Sequence, residues 1–435
     1  MKLMRRALCI ITAILLMAGT ASASPAVLTE VATSFSVSSS LTLEGEAGCV
    51  IDANTGNVLY SQNADEILYP ASITKLMTAL LVLENCELDE VVTFSYDAVN
   101  SIEWDSSNIG ALVGEEMTVE QCLYALLLES ANEVANALAE HVAGSMEDFA
   151  EMMNERAAEL GCTNTHFTNA SGLHDDDHYT TAYDMCLILM ALKDNETFIT
   201  ISSADSYTIP PTNMYSSSRY LEQLNKLFYA SAYTYEYAVA GKLGYTPEAG
   251  NTLATYAVKD DTELICVVLL TDWTHYSDTI AMLDYCFENY TGYDLTGTYL
   301  ADEILDLASE ASGVSTEYLS LSSDNIVLIP AGADLADVTV TYSGRADNVI
   351  TVTYTYGNVT VGTGTITVNV PETEAETDAA ASSDLSAETG TGSSDSLRMF
   401  IYIDVIAAAV ILLVIFLIVR RRRRRRRRKR NSRRR

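Results

Sequence analysis

The feature that most constrains this chain is a 21-residue apolar segment near its C-terminus, Met399 to Val419, broken only by Asp404. A segment of that length crosses a bilayer as one helix. Basic residues follow at once, beginning with the unbroken run Arg420 to Arg428, and positive flanks stay in the cytoplasm. We therefore predict a transmembrane helix over 399–419, a polybasic cytoplasmic tail over 420–435, and an extracellular location for everything before them. Nucleic-acid binding by the arginines is the alternative, but it fits poorly beside a membrane span.

The N-terminus has the three regions of a secretory signal. Basic residues among the first six positions precede an apolar run from Ala7 to Met17, and Ala21-Ser22-Ala23 provides the small residues of a cleavage site. An uncleaved anchor is the alternative, but the apolar run is short for one. We predict a signal peptide over 1–23 and a mature chain that is exported and anchored to the cell membrane by its C-terminal helix.

The exported part is strongly acidic. Of the 26 basic residues only eight lie between Ser24 and Leu397, whereas 58 of the 59 acidic residues lie there. Such an excess of negative charge makes nucleic acid an improbable partner. It favours solubility and says little about chemistry.

The cysteines predict neither a disulfide framework nor a metal site. Cys9 leaves with the signal, and the seven others are widely spaced, odd in number and without a Cys-x-x-Cys pair. We interpret them as mostly buried small apolar residues. We expect no metal and no cofactor.

Turn residues and apolar periodicity predict an α+β fold. Short strands flank a turn at Asn54-Thr55-Gly56, and Thr74 to Leu83 has the composition of a helix buried on most of its surface. Further helices are predicted over Thr118–Ala143, Ser145–Leu160 and Thr181–Lys193. Later strands are predicted over Ala238–Lys242, Asn251–Val258 and Leu264–Leu270. Strands at both ends with helices between them predict a sheet covered by helices.

The composition changes after Tyr290. Four segments between Asn325 and Val370 alternate at period two, which predicts a small all-β domain over 291–371. The next residues are Glu, Thr, Ala, Ser, Asp and Gly without apolar periodicity, so we predict a disordered acidic stalk over 372–398. With an N-terminal extension over 24–45, this leaves 46–290 as the principal domain.

One pattern in the principal domain suggests nucleophilic chemistry. Ser-x-x-Lys occurs once, as Ser72 to Lys75, and a helix puts residues three apart on one face. A serine hydroxyl needs a base, and a lysine can be that base when burial or a second cation lowers its pKa. Alone the pattern is weak, because an N-cap serine followed by an exposed lysine has the same spacing.

Two later tripeptides strengthen this interpretation. Ser130-Ala131-Asn132 interrupts a helical stretch, although either polar residue is about as well explained as a helix cap. Lys242-Leu243-Gly244 ends a predicted strand, where glycine permits close approach to a ligand, although a lone lysine there is usually solvated. Because they follow Ser-x-x-Lys in this order and at this spacing, the three motifs together support a catalytic site better than any one of them alone.

Together these residues resemble the penicillin-binding serine D-Ala-D-Ala carboxypeptidases, which share a fold with serine β-lactamases. The resemblance extends from Gly48 to about Val370. It includes the segments Asp52 to Gly56, Pro70 to Ala79, Thr163 to Asn169, Ser171-Gly172-Leu173, His178 with Thr181 to Met185, and Gly244-Tyr245-Thr246 with Ala249-Gly250. It implies a catalytic domain over 46–290 with an antiparallel sheet and helices packed on it.

The resemblance also implies roles for individual residues. Ser72 is the nucleophile that forms the acyl-enzyme, Lys75 takes its proton, and Ser130 passes a proton to the leaving amine. Asn132 and Lys242 are implied to bind substrate, as are Gly244 and Tyr245, with the backbone N–H groups of Ser72 and Tyr245 forming the oxyanion hole. His178 and Asp184 belong to a family signature that we interpret as structural.

The third motif departs from the family pattern. The family has Lys-Thr-Gly, but Leu243 replaces the threonine here. That threonine is implied to hold the terminal carboxylate of the substrate, and a hydrogen bond to a charged group contributes about 1.5 to 3 kcal/mol. We therefore expect weakened binding of peptide and penicillin.

The sequence thus predicts a carboxypeptidase that removes the terminal D-Ala from peptidoglycan pentapeptide stems and is inhibited by β-lactams. Two alternatives stay open. One is a weakly active or inactive wall-binding member of the same family, because of Leu243. The other is a β-lactamase, which shares the nucleophile but needs fast deacylation.

Overall fold

The computed structural model describes residues 41–370. The predicted signal peptide, stalk, transmembrane helix and cytoplasmic tail lie outside the described residues. Within 41–370, none of the helices combines the length and the apolar character that a bilayer crossing needs.

The described helices and strands alternate along the chain. The helices are α1 (Lys75–Asn85), α2 (Tyr96–Asn100), α3 (Val119–Leu128), α4 (Asn132–Ala143), α5 (Met146–Glu159), α6 (Ala182–Met190), α7 (Glu196–Ser202), α8 (His275–Asn289) and α9 (Leu300–Ser312). The strands are β1 (Ala47–Asp52), β2 (Val58–Gln62), β3 (Val91–Thr93), β4 (Glu116–Thr118), β5 (Ser206–Ile209), β6 (Arg219–Glu222), β7 (Ala238–Thr246), β8 (Gly250–Lys259), β9 (Thr262–Thr271), β10 (Tyr290–Asp294), β11 (Leu319–Leu321), β12 (Ile326–Pro330), β13 (Val338–Ala346), β14 (Val349–Tyr356) and β15 (Val359–Val368).

A five-stranded antiparallel sheet organises the principal domain, with the strand order β2-β1-β9-β8-β7. Its central strand β9 is buried on both faces from Leu264 to Leu269, as its nearly continuous apolar sequence requires. Helices α1, α3, α4 and α6 share one apolar cluster with one face of the sheet, and α8 covers the other face. The predicted α+β class and the antiparallel sheet with packed helices are confirmed.

Two predicted helices are divided differently in the structure. The segment expected to be helical from Thr74 begins as a 3-10 turn over Ala71–Thr74, and α1 starts at Lys75. The stretch Thr118–Ala143 is two helices, because Ser130 has a φ of 59° and an α-helix cannot continue through that conformation. A capping box at Thr118 fixes the start of α3. The break places Ser130 and Asn132 at the N-terminus of α4.

The prediction of an all-β domain after residue 290 is wrong. Strands β11, β15, β14 and β13 form a sheet, but α9 packs on it. Leu300, Ile304 and Ala308 are buried at a spacing of four residues, so α9 has an apolar stripe that faces the sheet. The prediction rested on the period-two alternation of the later strands and did not take the four-residue apolar spacing of 300–308 into account.

The C-terminal region contacts the principal domain through β10, which pairs with β12 and is not part of the sheet that carries α9. The amide of Gly292 in β10 donates to Thr262 Oγ1 at 2.9 Å, and a Cβ at Gly292 would lie 1.9 Å from the carbonyl oxygen of Asp261. The described residues up to Asn369 form one compact unit. The domain boundary at 290/291 stays a prediction.

Candidate active site

Ser72 lies on a tight turn held on two sides. The preceding residue, Ala71, has a φ of 49°, which L-residues rarely adopt. Thr252 of β8 donates its hydroxyl to the carbonyl of Pro70 at 2.9 Å. On the opposite side, a Cβ at Gly172 would lie 1.9 Å from the carbonyl oxygen of Ala71, so only glycine fits there. These contacts hold Ser72 in the 3-10 turn just before α1, with its side chain half-buried.

Lys75 is fully buried below Ser72. Its Nζ lies 3.0 Å from Ser72 Oγ, 2.7 Å from Asn132 Oδ1 and 2.5 Å from the carbonyl oxygen of Ser171. Burial lowers the pKa of Lys75 well below its usual value, and the nearby Lys242 lowers it further, while Glu133 opposes the shift. A neutral amine at this distance can accept the hydroxyl proton of Ser72, which is what a general base requires.

Lys242 of β7 approaches the same site from the sheet. Its Nζ donates to Ser130 Oγ at 3.1 Å and to the carbonyl oxygen of Leu243 at 2.8 Å. Burial lowers the pKa of Lys242 to about 7. At neutral pH the site can therefore recruit a positive charge when an anion arrives.

The edge strand β7 passes very close to the nucleophile. A Cβ at Gly244 would lie 2.8 Å from the amide nitrogen of Ser72 and 2.5 Å from Thr252 Oγ1. Glycine at this position is therefore a condition for the strand to lie beside Ser72. The oxyanion role of the Ser72 and Tyr245 amides stays a prediction.

Leu243 and Tyr245 alternate with the residues that face the nucleophile. Leu243 is partly buried and packs against the apolar cluster that α8 shares with the sheet. The Tyr245 side chain is 55% exposed and stacks on Trp273, with ring centroids 6.2 Å apart. Of the predicted site residues, Ser72, Lys75, Ser130, Asn132, Lys242 and Gly244 thus converge, and the Tyr245 side chain lies at the rim.

The structure adds groups that the sequence did not assign to the site. The carbonyl of Ser171 binds Lys75, and a backbone acceptor leaves no signature in a sequence. Glu133 is buried beside Asn132 and accepts from the amides of Ile109 at 2.8 Å and Ala111 at 3.3 Å. The one sequence feature that could have identified Glu133 is its position directly after Ser130-Ala131-Asn132. It anchors the 109–111 segment beside the start of α4.

His178 and Asp184 are both buried, as structural residues would be. His178 Nδ1 accepts from the amide of Thr168 at 3.0 Å, so Nε2 carries the proton and donates to Thr74 Oγ1 at 2.8 Å. Burial lowers the pKa of His178 to about 3, which keeps the ring neutral. Asp184 accepts from Thr165 Oγ1 and from the amide of Asn164. Both residues fix the 164–180 loop, which supplies the Ser171 carbonyl.

Known proteins share this architecture. A family model described as D-alanyl-D-alanine carboxypeptidase matches residues 33–272, more than half of the chain. The D-alanyl-D-alanine carboxypeptidase DacF of Bacillus subtilis is 33% identical over 311 residues, covering 69% of this chain and 76% of the relative. DacC of Escherichia coli is 30% identical over 256 residues, covering 56% of this chain but only 62% of the relative.

The fold is also similar to solved structures of such enzymes. The crystal structure of the Streptomyces K15 DD-transpeptidase is 30% identical, with a TM-score of 0.52 over 56% of this chain and 97% of that one. Ser72 and the buried Lys75 lie in a fold that this chain shares with that enzyme. On the family match and these similarities, the chain belongs to the D-alanyl-D-alanine carboxypeptidase family of serine peptidases.

Proposed function

We propose that this chain removes the terminal D-Ala from peptidoglycan stem peptides that end in D-Ala-D-Ala, and that β-lactams inhibit it by acylating Ser72. The observation that carries the proposal is the fully buried Lys75 amine 3.0 Å from Ser72 Oγ. A buried lysine with a lowered pKa activates a serine without histidine. Family membership supplies the substrate class.

The proposed reaction begins with attack of Ser72 Oγ on the carbonyl carbon of the D-Ala-D-Ala bond while Lys75 Nζ takes the hydroxyl proton. The tetrahedral oxyanion accepts hydrogen bonds from the amides of Ser72 and Tyr245. Ser130, which lies 3.1 Å from Lys242, passes a proton to the leaving amine and D-Ala departs. Water then attacks the acyl carbon, the bond to Ser72 Oγ breaks, the shortened peptide leaves as the acid, and a proton from the water restores the Ser72 hydroxyl.

Lys242 gives the site its preference for a free carboxylate. A pKa of about 7 leaves the free enzyme with a mixture of neutral and charged Lys242 at neutral pH. The terminal carboxylate of the substrate favours the charged form and is bound by it. Substrates with a blocked C-terminus therefore lose this interaction.

The test uses the full-length chain with a peptide that ends in D-Ala-D-Ala and with fluorescent penicillin. We expect D-Ala release and covalent labelling, both abolished in Ser72→Ala. Ser277→Ala, at an exposed serine of α8, is the matched control and keeps both. Labelling that persists in Ser72→Ala contradicts the proposal.

A second candidate is favoured by Leu243, which lacks the hydroxyl expected at the carboxylate site. In that case the chain binds wall peptides through an intact fold and turns them over weakly or not at all. Absence of penicillin labelling at any dose, together with retained peptide binding, would favour this candidate over the carboxypeptidase.

We further propose that the C-terminal apolar segment anchors the catalytic domain outside the cell membrane, facing the wall. Support comes from the length of 399–419 and the arginines that follow it. The full chain should stay in the membrane pellet after alkaline extraction, whereas a chain ending at Leu397 should be released. Extraction of the full chain under the same conditions would contradict the anchor.

A further inference from the structure

A cysteine, a glutamate and a histidine meet at one point of the helical layer, away from the candidate active site. Cys86 follows the last residue of α1, Glu90 precedes β3, and His141 lies in the last turn of α4. One ligand atom from each of the three lies within 4.8 Å of the other two. Glu90 Oε2 and His141 Nε2 are already 3.0 Å apart.

The cluster lies at the far ends of the two helices that build the active site. Lys75 begins α1 and Asn132 begins α4, and their side chains meet at 2.7 Å. Both helices then run toward Cys86 and His141. The 11 residues of α1 span about 16 Å. A ligand at the cluster is therefore too far from Ser72 to take part in the chemistry.

Two features of this place favour a cation. Helices α1 and α4 both direct their C-terminal, partially negative ends toward it. The stretch from residue 84 to residue 90 carries four carboxylates and no basic residue, and three of the acids, Glu87, Asp89 and Glu90, lie beyond Glu84, which is ion-paired with Arg156 at 2.8 Å. Cys86 is also the one thiol among the described cysteines that is not buried, so an ion from solvent can reach it.

We propose that Cys86, Glu90 and His141 bind one zinc ion that ties the C-terminal end of α1 to that of α4. Thiolate, imidazole and carboxylate are the zinc ligands of proteins, at about 2.3, 2.0 and 2.1 Å respectively. Tetrahedral geometry puts a nitrogen and an oxygen ligand about 3.4 Å apart, so the His141–Glu90 pair opens by a few tenths of an ångström. The fourth position is open to solvent.

Zinc binding requires the ligands to give up protons, and it needs no oxidant or other reactant. The Cys86 thiol releases its proton to solvent and binds as thiolate. Zinc replaces the proton of the hydrogen bond between His141 Nε2 and Glu90 Oε2, and that proton moves to Nδ1 of the ring or leaves to solvent. The sequence predicted no metal site because it contains no closely spaced cysteine pair, whereas these ligands come from three separate positions that only the fold brings together.

The experiment measures zinc in the purified full-length chain after chelation and re-addition of Zn²⁺, by elemental analysis and by competition with a chromogenic chelator. We expect one equivalent bound per chain, with affinity reduced at least about 10-fold in Cys86→Ser and in His141→Gln. Co²⁺ in place of Zn²⁺ should give a thiolate charge-transfer band that Cys86→Ser abolishes. Zinc should raise the melting temperature of the wild type and neither variant.

Glu87→Gln is the matched control, because Glu87 is an exposed carboxylate in the same segment and outside the cluster. It should bind zinc as the wild type does. Equal zinc binding by the wild type, Cys86→Ser and His141→Gln, or no bound zinc in the wild type, overturns the proposal. Penicillin labelling of the zinc-free chain should be unchanged, which separates this site from the proposed catalytic function.

Discussion

Burial acts on two lysines of the candidate site with different consequences. Lys75 has Lys242 as a neighbouring cation, so desolvation and charge repulsion both lower its pKa. The pKa of Lys242 falls to about 7 from burial alone. The arrangement favours a neutral base beneath Ser72 and a second amine that gains its proton when a carboxylate binds. Lys75 thereby serves proton transfer, and Lys242 serves anion binding.

This division predicts the pH dependence of acylation. The second-order rate constant for penicillin acylation reports the free enzyme, so it should fall as pH rises through the pKa of Lys242, about 7. Above that pH the fall approaches about tenfold per pH unit. In Lys242→Arg the fall should move to higher pH, because a guanidinium stays charged. An unchanged basic limb in Lys242→Arg, measured by stopped-flow or label incorporation, would rule out this role for Lys242.

The missing hydroxyl at Leu243 predicts a gain of function. Leu243 packs on the α8 side of the sheet, so Leu243→Thr should speed acylation by about 10- to 100-fold only when the threonine hydroxyl turns toward the substrate carboxylate and binds it with about 1.5 to 3 kcal/mol. Leu243→Val is the matched control, since valine has the shape of threonine without the hydroxyl. Equal acylation rates for the two variants would show that position 243 acts through packing alone, as its contact with the cluster beneath α8 allows.

At the scale of elements, the 164–180 loop fastens the turn that carries the nucleophile. A bridge between Leu68 and Thr180 joins it to the rest of the domain, and a bridge between His166 and Tyr179 closes the loop on itself. Gly172 then packs against Ala71, and His178 donates to Thr74. Since the loop also provides the Ser171 carbonyl, its attachment sets the position of Lys75.

His178 should make the free energy of unfolding decrease as the pH is lowered. Its folded pKa of about 3 lies below the unfolded value of 6.5, so the unfolded chain binds a proton below pH 6.5 that the folded chain does not. Stability from the neutral ring is present above pH 6.5 and is lost toward pH 3. Between pH 7 and pH 5 this loss amounts to about 2 kcal/mol.

Urea unfolding at the two pH values tests the effect. His178→Gln should lower the free energy of unfolding at pH 7 and remove about 2 kcal/mol of its decrease toward pH 5. His174→Gln, at an exposed histidine of the same loop, should keep the full decrease. If His178→Gln and the wild type lose the same stability between pH 7 and pH 5, the ring is not held neutral in the fold.

The elements show what the sequence can and cannot predict. The pairing of Ser72 with Lys75 follows from helix geometry over three residues, and the strands of the main sheet follow from local periodicity. The positive φ of Ser130, which divides α3 from α4, leaves no such pattern. Neither does the meeting of Cys86 with His141, which are 55 positions apart in the chain. Contacts of this kind depend on tertiary packing, so only the folded structure reveals them.

At the scale of the whole molecule, the predicted stalk sets how far the catalytic domain reaches. Residues 372–398 have the composition of a random coil, which for a segment of this length spans roughly 30 Å. Repulsion between acidic residues is expected to extend a coil of this composition further. Together with the anchor proposed above, a stalk of this length would let the catalytic domain reach the wall while it stays attached to the membrane.

The predicted stalk also predicts where an added protease cuts the intact protein. Protease added to whole cells should cleave within 372–398 and release a soluble fragment, because exposed segments of this composition are preferred sites of cleavage. The fragment should keep its capacity for penicillin labelling, since the described residues up to Asn369 form one compact unit. Mass spectrometry of the released fragment should find its C-terminus beyond residue 370. Label that stays with the cells would contradict the stalk, and separation at residues 290–300 would contradict the packing of β10 against the Asp261–Thr262 turn.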